Sequence, residues 1–151
     1  CGLEELGNGL YAWMQPDGGW GWSNAGFIRD GEDSLLVDTL FDEPLTAGML
    51  AAIEDATGIA AERIGLLVNT HANGDHTHGN ALVAHAKVIA SAAAAREMLE
   101  LPPAALAEIK AGGAAGRLGE AGEYLSGIQK YNTYSLSESW IPASAGMTNG
   151  Q

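Results

Sequence analysis

The chain has 151 residues, and its 19 acidic and seven basic residues give a formal net charge of −12. Hydrophobic residues make up 46% of it and charged residues 17%, a composition typical of a globular protein with a buried core. Seven lysines and arginines are too few for the clustered phosphate contacts of a nucleic-acid-binding surface, so we expect no nucleic-acid partner. The single cysteine excludes an internal disulfide and a cysteine-based zinc cage.

Signals for export or membrane insertion are not visible in the sequence. No apolar run approaches the roughly 18 residues that a spanning helix requires. No charged segment followed by an apolar segment opens the chain, as a signal peptide would. These patterns predict a cytoplasmic protein with no membrane partner. The first residue is Cys1 rather than methionine, so we expect the natural N-terminus to be missing or processed.

Three strands are predicted in the first 40 residues. Residues 10–15 form the first, which stops at a Pro-Asp-Gly-Gly run. Residues 24–28 and 34–38 form the next two. The residues between them, 30–33, contain Asp-Gly, which is a strong signal for a tight hairpin turn.

A helix is predicted after the third strand. Asp42 has the right side chain for an N-cap, and Leu45, Met49 and Ile53 recur at the spacing of one helical face. Gly58 is a plausible C-terminal stop, because glycine readily adopts the left-handed conformation that ends many helices.

The second half of the chain begins with a strand and then alternates. Residues 64–68 form a continuous apolar run, which indicates a strand buried on both faces. A further strand is predicted at residues 87–90, and Ser91 can cap an alanine-rich helix that ends at residues 102–103. We expect another helix over residues 103–111.

The character of the sequence changes near residue 125. The residues beyond it are polar and have no clear period of a strand or a helix. We therefore expect a partial domain over residues 1–125 and an irregular tail over residues 126–151.

All four histidines fall within 15 residues, and three of them follow the buried strand at 64–68. His71, His76 and His78 lie close to Asp75 in what is predicted to be a loop at the end of that strand. Strand ends in layered sheet proteins are common positions for functional sites, and imidazole and carboxylate are ligands that zinc prefers. The sequence thus favours a metal site here, although a polar loop with surface histidines would have the same composition.

Residues 66–76 resemble the signature of the metallo-beta-lactamase superfamily, which is His-x-His-x-Asp-His after a strand that ends in Asn-Thr-His. Asp38 and Thr39 match a second feature, an earlier strand that ends in Asp-Thr. The resemblance covers about residues 10–100, with both parts in the family's order.

The resemblance implies an α+β fold, a four-layer αββα sandwich, of which this chain would hold the first half. It implies one or two zinc ions at the sheet edge and a metal-bound hydroxide that attacks a small ester, thioester, lactone or lactam. Carried over by position, His71 would bind the first metal, and Asp75 and His76 would bind the second. Asp75 would also act in catalysis by orienting the hydroxide.

Two departures from the signature affect the expected site. Asn73 occupies the position of the family's second histidine, and its amide suits a contact to the substrate or to a ligand; His78 is a further candidate for such a contact. No histidine follows His85, so the ligands of the family's second half have no counterpart. We therefore expect a truncated sandwich that could self-associate through an uncovered sheet face.

Two other functions remain open at this stage. The first is a non-catalytic, truncated remnant that binds metal weakly. The second is a small metal-binding module, which is disfavoured because the visible ligands come from one short loop. Zinc content would separate an enzyme from a remnant.

Overall fold

The computed structural model describes residues 2–16 and 21–100 of the chain. These residues form six strands and three helices, together with short 3-10 turns at Ala61–Arg63 and Asn80–Val83. The strands are β1 (Gly2–Gly7), β2 (Leu10–Met14), β3 (Ala25–Asp30), β4 (Asp33–Val37), β5 (Leu66–Asn69) and β6 (Lys87–Ala90). The helices are α1 (Glu43–Thr57), α2 (Gly74–Thr77) and α3 (Ala92–Glu100). The predicted helix at 103–111, the boundary near 125 and the predicted tail lie outside the described residues.

The six strands form one mixed sheet in the order in which they occur in the chain. Strands β1 to β4 pair antiparallel with one another, whereas β5 is parallel to both β4 and β6. Parallel neighbours need a crossover connection, and α1 lies in the connection from β4 to β5. The expected α+β class is confirmed. The described residues hold one sheet with helices, which is consistent with part of a sandwich.

Helix α1 has the ends that its sequence predicts. The side chain of Asp42 accepts a hydrogen bond from the backbone N–H of Leu45 at 2.8 Å, which satisfies one of the free donors of the first turn. Gly58 ends the helix in the left-handed conformation, with φ of 72°, and its N–H bonds the carbonyl of Glu54. These caps fix where the helix starts and stops, and the buried residues Met49, Leu50 and Ile53 mark the face that packs on the sheet.

The core lies between the sheet and α1. Phe27, Leu36 and Leu67 come from three adjacent strands and point to the same face, where Met49 and Ile53 of α1 meet them. All five side chains are at most 1% exposed. Burying each contributes roughly 1.5–3 kcal/mol. Because a slip of one residue would move these side chains to the opposite face of the sheet, this layer favours the observed register.

Strand β1 and its turn were not predicted, although the sequence carries their signal. Asn8 and Gly9 both have positive φ, 53° and 75°, as a type I′ hairpin turn requires. A Cβ on Gly9 would lie 2.1 Å from the carbonyl oxygen of Arg29, so the turn also needs glycine for close packing. Asn-Gly between two strands is the strongest short hairpin signal, and here it adds β1 to the edge of the sheet.

A group of buried polar side chains lies at the C-terminal end of β5. The side-chain amides of Asn69 and Asn80 pair with each other, with Asn80 Nδ2 donating to Asn69 Oδ1 at 2.8 Å. Thr39 Oγ1 donates to Asn80 Oδ1 at 2.9 Å. Both asparagines and Thr39 are at most 2% exposed. Buried polar groups cost little when they are paired and several kilocalories when they are not, so these contacts hold three connections together.

The central part of the sheet face opposite α1 is apolar as well. Paired positions place two rows of apolar side chains across the strands on this face: Leu10, Ile28, Leu35 and Leu66 in one, and Ala12, Val37, Val68 and Ile89 in the other. Charged residues lie at the ends of the rows, with Lys87 next to Leu66 and Glu4 next to Ala12. Leu10, Ile28 and Ile89 are 39–42% exposed. We refer to these two rows as the outer face. None of the helices in the described part of the chain is long and apolar enough to cross a membrane.

Removing Asn80 should destabilise the protein. Asn80→Ala leaves the buried amide oxygen of Asn69 without its donor and removes one of the two acceptors of the Thr39 hydroxyl, which should lower the free energy of unfolding by about 1–3 kcal/mol. Urea denaturation measures the change. Asn24→Ala is the matched control, since Asn24 is exposed and bonds only at the surface; its effect should stay within about 0.5 kcal/mol. Equal effects of the two substitutions would contradict the role given to the buried pair.

The outer face should drive self-association of the purified chain. Exposed contiguous apolar surface favours contact between copies, so the apparent mass should rise with concentration. Light scattering during size-exclusion chromatography measures it. Ile28→Lys should shift the midpoint of association about tenfold or more to higher concentration, because a charge must then be desolvated in the contact.

The control for this experiment is Leu99→Lys, which places the same charge on an exposed leucine of α3. It should leave association unchanged. A chain that remains monomeric at every concentration, or that responds equally to both substitutions, would argue against the outer face as a contact surface.

Candidate metal centre

Two parallel strands bring the candidate residues to one edge of the sheet. Strand β4 pairs in parallel with β5, with Val37 opposite Val68, so the residues that follow each strand meet. Asp38 follows β4, and its backbone N–H still bonds the carbonyl of Val68 at 2.8 Å. Asp38 has φ of 62°, a conformation that aspartate tolerates better than most residues. This backbone turn places a carboxylate at the start of the loop that follows β5.

The loop after β5 contains a short helix, which corrects the expectation of a plain loop. Asp75 and His76 lie in α2, where the N–H of His76 bonds the carbonyl of Asn73 at 3.0 Å and the N–H of His78 bonds that of Gly74 at 3.0 Å. A Cβ on Gly74 would lie 2.1 Å from Cε1 of His78. The turn forms because glycine lets the backbone pack directly against the His78 ring.

The backbone of α2 is fixed from two sides. The hydroxyl of Ser23 makes a short hydrogen bond to the carbonyl of Asp75. The carbonyl of His76 accepts from the N–H of Thr39 at 3.0 Å and from the side-chain amide of Asn69 at 3.2 Å. These bonds come from three different connections of the fold, so the Asp75 and His76 side chains start from a constrained backbone.

Two of the predicted ligands, His71 and His76, form a group with Asp38, whereas Asp75 is not part of that group and lies beside His76. Ligand atoms of Asp38, His71 and His76 all lie within 4.8 Å of one another, and the ring centroids of His71 and His76 are 4.2 Å apart. Asp75 Oδ2 lies 3.5 Å from His76 Nε2. Two donors at 2.0–2.2 Å from a tetrahedral zinc are about 3.3–3.6 Å apart, so the Asp75–His76 spacing fits one edge of such a site.

Asp38 is better suited to orienting a ligand than to being one. Its Oδ1 accepts from the N–H of Thr70 at 2.8 Å, and its Oδ2 accepts from the hydroxyl of Thr70 at 2.7 Å. The same Oδ2 lies 3.0 Å from Nδ1 of His76. Because Nδ1 is used in this way, Nε2 of His76 is the nitrogen left for a metal, the arrangement common around zinc-binding histidines. Burial of Asp38, which is 4% exposed, keeps these bonds out of competition with water.

The sequence used Asp38 only as part of the family resemblance and did not place it in the site. Thr70 was likewise absent from the expected site residues. The sequence does contain a signal for both residues. Asp38 and Thr70 each follow a buried strand, and residues in these positions come together if the two strands are parallel neighbours. That pairing joins residues 32 positions apart, which local patterns do not specify.

Asn73 and His78 lie in different surroundings. Asn73 is exposed and precedes α2, where its carbonyl accepts from the hydroxyl of Thr77 at 3.1 Å. His78 is 6% exposed, and its Nδ1 is 3.2 Å from the carbonyl oxygen of Phe41. Its ring packs against the ring of Phe41, with centroids 5.7 Å apart. His78 thus packs beneath α2, between Gly74 and Phe41, and has a structural role there. A contact of Asn73 with a ligand or substrate stays a prediction.

Burial lowers the pKa of His78 from its usual 6.5 to about 4, because desolvation disfavours the charged ring. The hydrogen bond to Phe41 and the charge of Asp75 oppose this shift only in part. Desolvation raises the pKa of Asp42 above its usual 3.8, so the folded chain binds a proton there more readily than the unfolded chain, and this carboxyl opposes the effect of His78 on stability.

Stability should therefore fall as the pH drops from 6.5 toward 4. In this window the unfolded chain binds a proton at His78 that the folded chain does not, so the full stability is present above pH 6.5 and up to about 3 kcal/mol is lost. Urea denaturation across the window measures the slope. His78→Gln should flatten it, whereas His85→Gln, at an exposed histidine, should not. An unchanged slope in His78→Gln would contradict the assignment.

Comparisons with known proteins relate this chain to one family. The family model described as the metallo-beta-lactamase superfamily matches residues 18–136. A metallo-beta-lactamase from Hirschia baltica is 26% identical, with 65% of this chain and 46% of that chain covered and a TM-score of 0.52. The metallo-beta-lactamase FIM-1 from Pseudomonas aeruginosa, in its mono-zinc form, is 27% identical, with 65% and 45% covered and a TM-score of 0.53.

The chain spans less than half of the length of these two structures. Among curated proteins, no relative matches it. The family match nevertheless extends over most of the chain and includes both strand ends of the site. The chain belongs to the metallo-beta-lactamase superfamily.

Proposed function

We propose that the protein is a zinc-dependent hydrolase that acts on a small ester, thioester, lactone or lactam. The observation that carries this proposal is the group of Asp38, His71 and His76, whose ligand atoms lie within 4.8 Å of one another where two parallel strands end. Asp75 Oδ2 adds a carboxylate oxygen 3.5 Å from His76 Nε2. Imidazole nitrogens and a carboxylate oxygen are the donor set that zinc prefers. Bound there, zinc would polarise the carbonyl under attack and lower the pKa of a water to near 7.

The residues of the chain divide the work in this proposal. His71 would hold one metal, and Asp75 and His76 would hold a second. The side chain of Asp75 is 32% exposed, so its carboxylate could also orient the attacking water by accepting a hydrogen bond from it. Asp38 holds the ring of His76 in place through Nδ1. Asn73, exposed at the rim, is a candidate contact for the substrate.

The net charge of the chain and its similarity to known structures both bear on the class of substrate. A net charge of −12 repels anionic polymers at long range, which favours a small neutral or cationic substrate. The two similar structures described above are named as metallo-beta-lactamases, which supports a lactam as the first substrate to test.

The small number of candidate metal ligands supports a second, non-catalytic function. Two zinc ions need about five or six protein ligands, and one catalytic zinc needs three. The described residues provide His71, Asp75 and His76, with Asn73 in place of a further histidine. The alternative is a non-catalytic protein that binds one metal weakly.

The test combines metal content and turnover. The chain is loaded with zinc, the bound metal is measured by elemental analysis, and hydrolysis of a lactam, a thioester and a lactone is assayed. The hydrolase predicts one or two zinc ions per chain and turnover that falls at least about 100-fold in His76→Ala, because the reacting groups lose their position. His85→Ala is the matched control, because His85 is exposed and outside the cluster.

The outcomes separate the two functions. Zinc bound without turnover on any substrate would favour the non-catalytic alternative. A chain that binds no zinc even in equilibrium dialysis against excess zinc would contradict both functions. Turnover that persists in His76→Ala would show that the proposed residues do not carry the reaction.

A further inference from the structure

We propose that Thr70 is a positioning residue that extends the action of Asp38 to a second histidine. The hydroxyl of Thr70 joins the carboxylate of Asp38 to the ring of His71, and the same carboxylate bonds the ring of His76 directly. One buried carboxylate then sets the tautomer of both candidate ligands. The arrangement of protons stands by itself, and its consequence for zinc rests on the proposed function.

The geometry forms a branched chain of hydrogen bonds. The hydroxyl of Thr70 donates to Asp38 Oδ2 at 2.7 Å and lies 2.8 Å from Nδ1 of His71. The other branch runs from the same Oδ2 to Nδ1 of His76 at 3.0 Å. All three distances are those of good hydrogen bonds, and charge-assisted bonds to a carboxylate are among the stronger ones.

Counting protons fixes the state of His71. A hydroxyl has one proton to donate, and an ionised carboxylate can only accept. Since the Thr70 proton goes to Asp38, the hydroxyl oxygen must accept from Nδ1–H of His71. The reverse direction would leave the hydroxyl oxygen and Asp38 Oδ2 facing each other at 2.7 Å with no proton between them. His71 therefore carries its proton on Nδ1 and has its lone pair on Nε2.

The same reasoning applies to His76 with one step fewer. Its Nδ1 faces the carboxylate, which cannot donate, so Nδ1 carries the proton and Nε2 holds the lone pair. Nε2 of His76 is also the atom that lies 3.5 Å from Asp75 Oδ2. Both rings thus keep Nε2 available for a metal, and no tautomer exchange is needed when zinc arrives.

This arrangement should increase metal affinity without adding a ligand. A ring that samples two tautomers binds with an affinity reduced by the fraction in the competent form, and a ring free to rotate loses more. Partners of this kind are typically worth 10–100-fold in metal affinity. Thr70 acts on one ring and Asp38 on two, so the loss on substitution should be larger for Asp38.

Thr70 offers a clean substitution. The residue is exposed, and its backbone N–H bonds Asp38 Oδ1 at 2.8 Å independently of the side chain. Thr70→Val removes only the hydroxyl and retains the shape and the backbone bond. Thr70→Ser keeps the hydroxyl and is the conservative variant. Asp38→Asn tests the shared carboxylate, and asparagine tolerates the positive φ at this position.

The first measurement is made without metal. Nitrogen-15 NMR of the ring nitrogens of the full chain, at a pH where the rings are neutral, reports which nitrogen carries the proton. We expect protonated Nδ1 and bare Nε2 in both His71 and His76. In Thr70→Val, His71 should become a tautomer mixture while His76 stays unchanged, and Thr70→Ser should restore the original pattern. A wild-type His71 protonated on Nε2, or a pattern that Thr70→Val leaves unaltered, would overturn the proposal.

The second measurement is zinc affinity by competition with a chromophoric chelator. Thr70→Val should weaken binding about 10-fold and Asp38→Asn about 100-fold, with Thr70→Ser close to the wild type. If the tautomers behave as expected and the wild type binds no zinc, the proposed function fails and the proton arrangement stands. If zinc binds tightly in all variants and the tautomers do not respond, the positioning role of Thr70 is wrong and the proposed function stands.

Discussion

The candidate site depends on one buried carboxylate at the ends of two parallel strands. Asp38 turns out of β4 with positive φ and then accepts from the backbone and side chain of Thr70 and from the ring of His76. A desolvated carboxylate with several donors has one favourable position, and the donors are fixed around it in turn. The sheet supplies the position of Asp38, and Asp38 passes it on to the histidines that follow β5.

Much of the fold could be predicted because its signals are local. Helix α1 depends on Asp42, on the spacing of its apolar residues and on Gly58, and all of these act within a few positions of the chain. The histidines were visible for a similar reason, since His71 and His76 lie five residues apart after an apolar strand. The family resemblance added the layer arrangement, which residue patterns alone do not specify.

The rest depends on contacts between distant residues. The bonds of Asp38 to Thr70 and His76 cross more than 30 positions, and they become apparent only when β4 is known to lie parallel to β5. A short apolar run indicates a strand, but it does not indicate which strand it pairs with. The small helix α2 was missed because its one turn is held by bonds from Ser23 and other connections rather than by helix propensity.

The order of the strands has a consequence for how this part of the chain reaches its structure. Each of the six strands pairs only with its neighbours in the chain, so the sheet contains no pairing that skips a strand. Short separations between contacting residues are associated with fast folding, because little chain entropy is lost before each contact forms. The hairpins that join β1 to β4 can therefore form one after another as the chain leaves the ribosome. On this route the parallel strands β5 and β6, with His71, Asp75 and His76 between them in the chain, would be the last of the described strands to join, onto an edge that already exists.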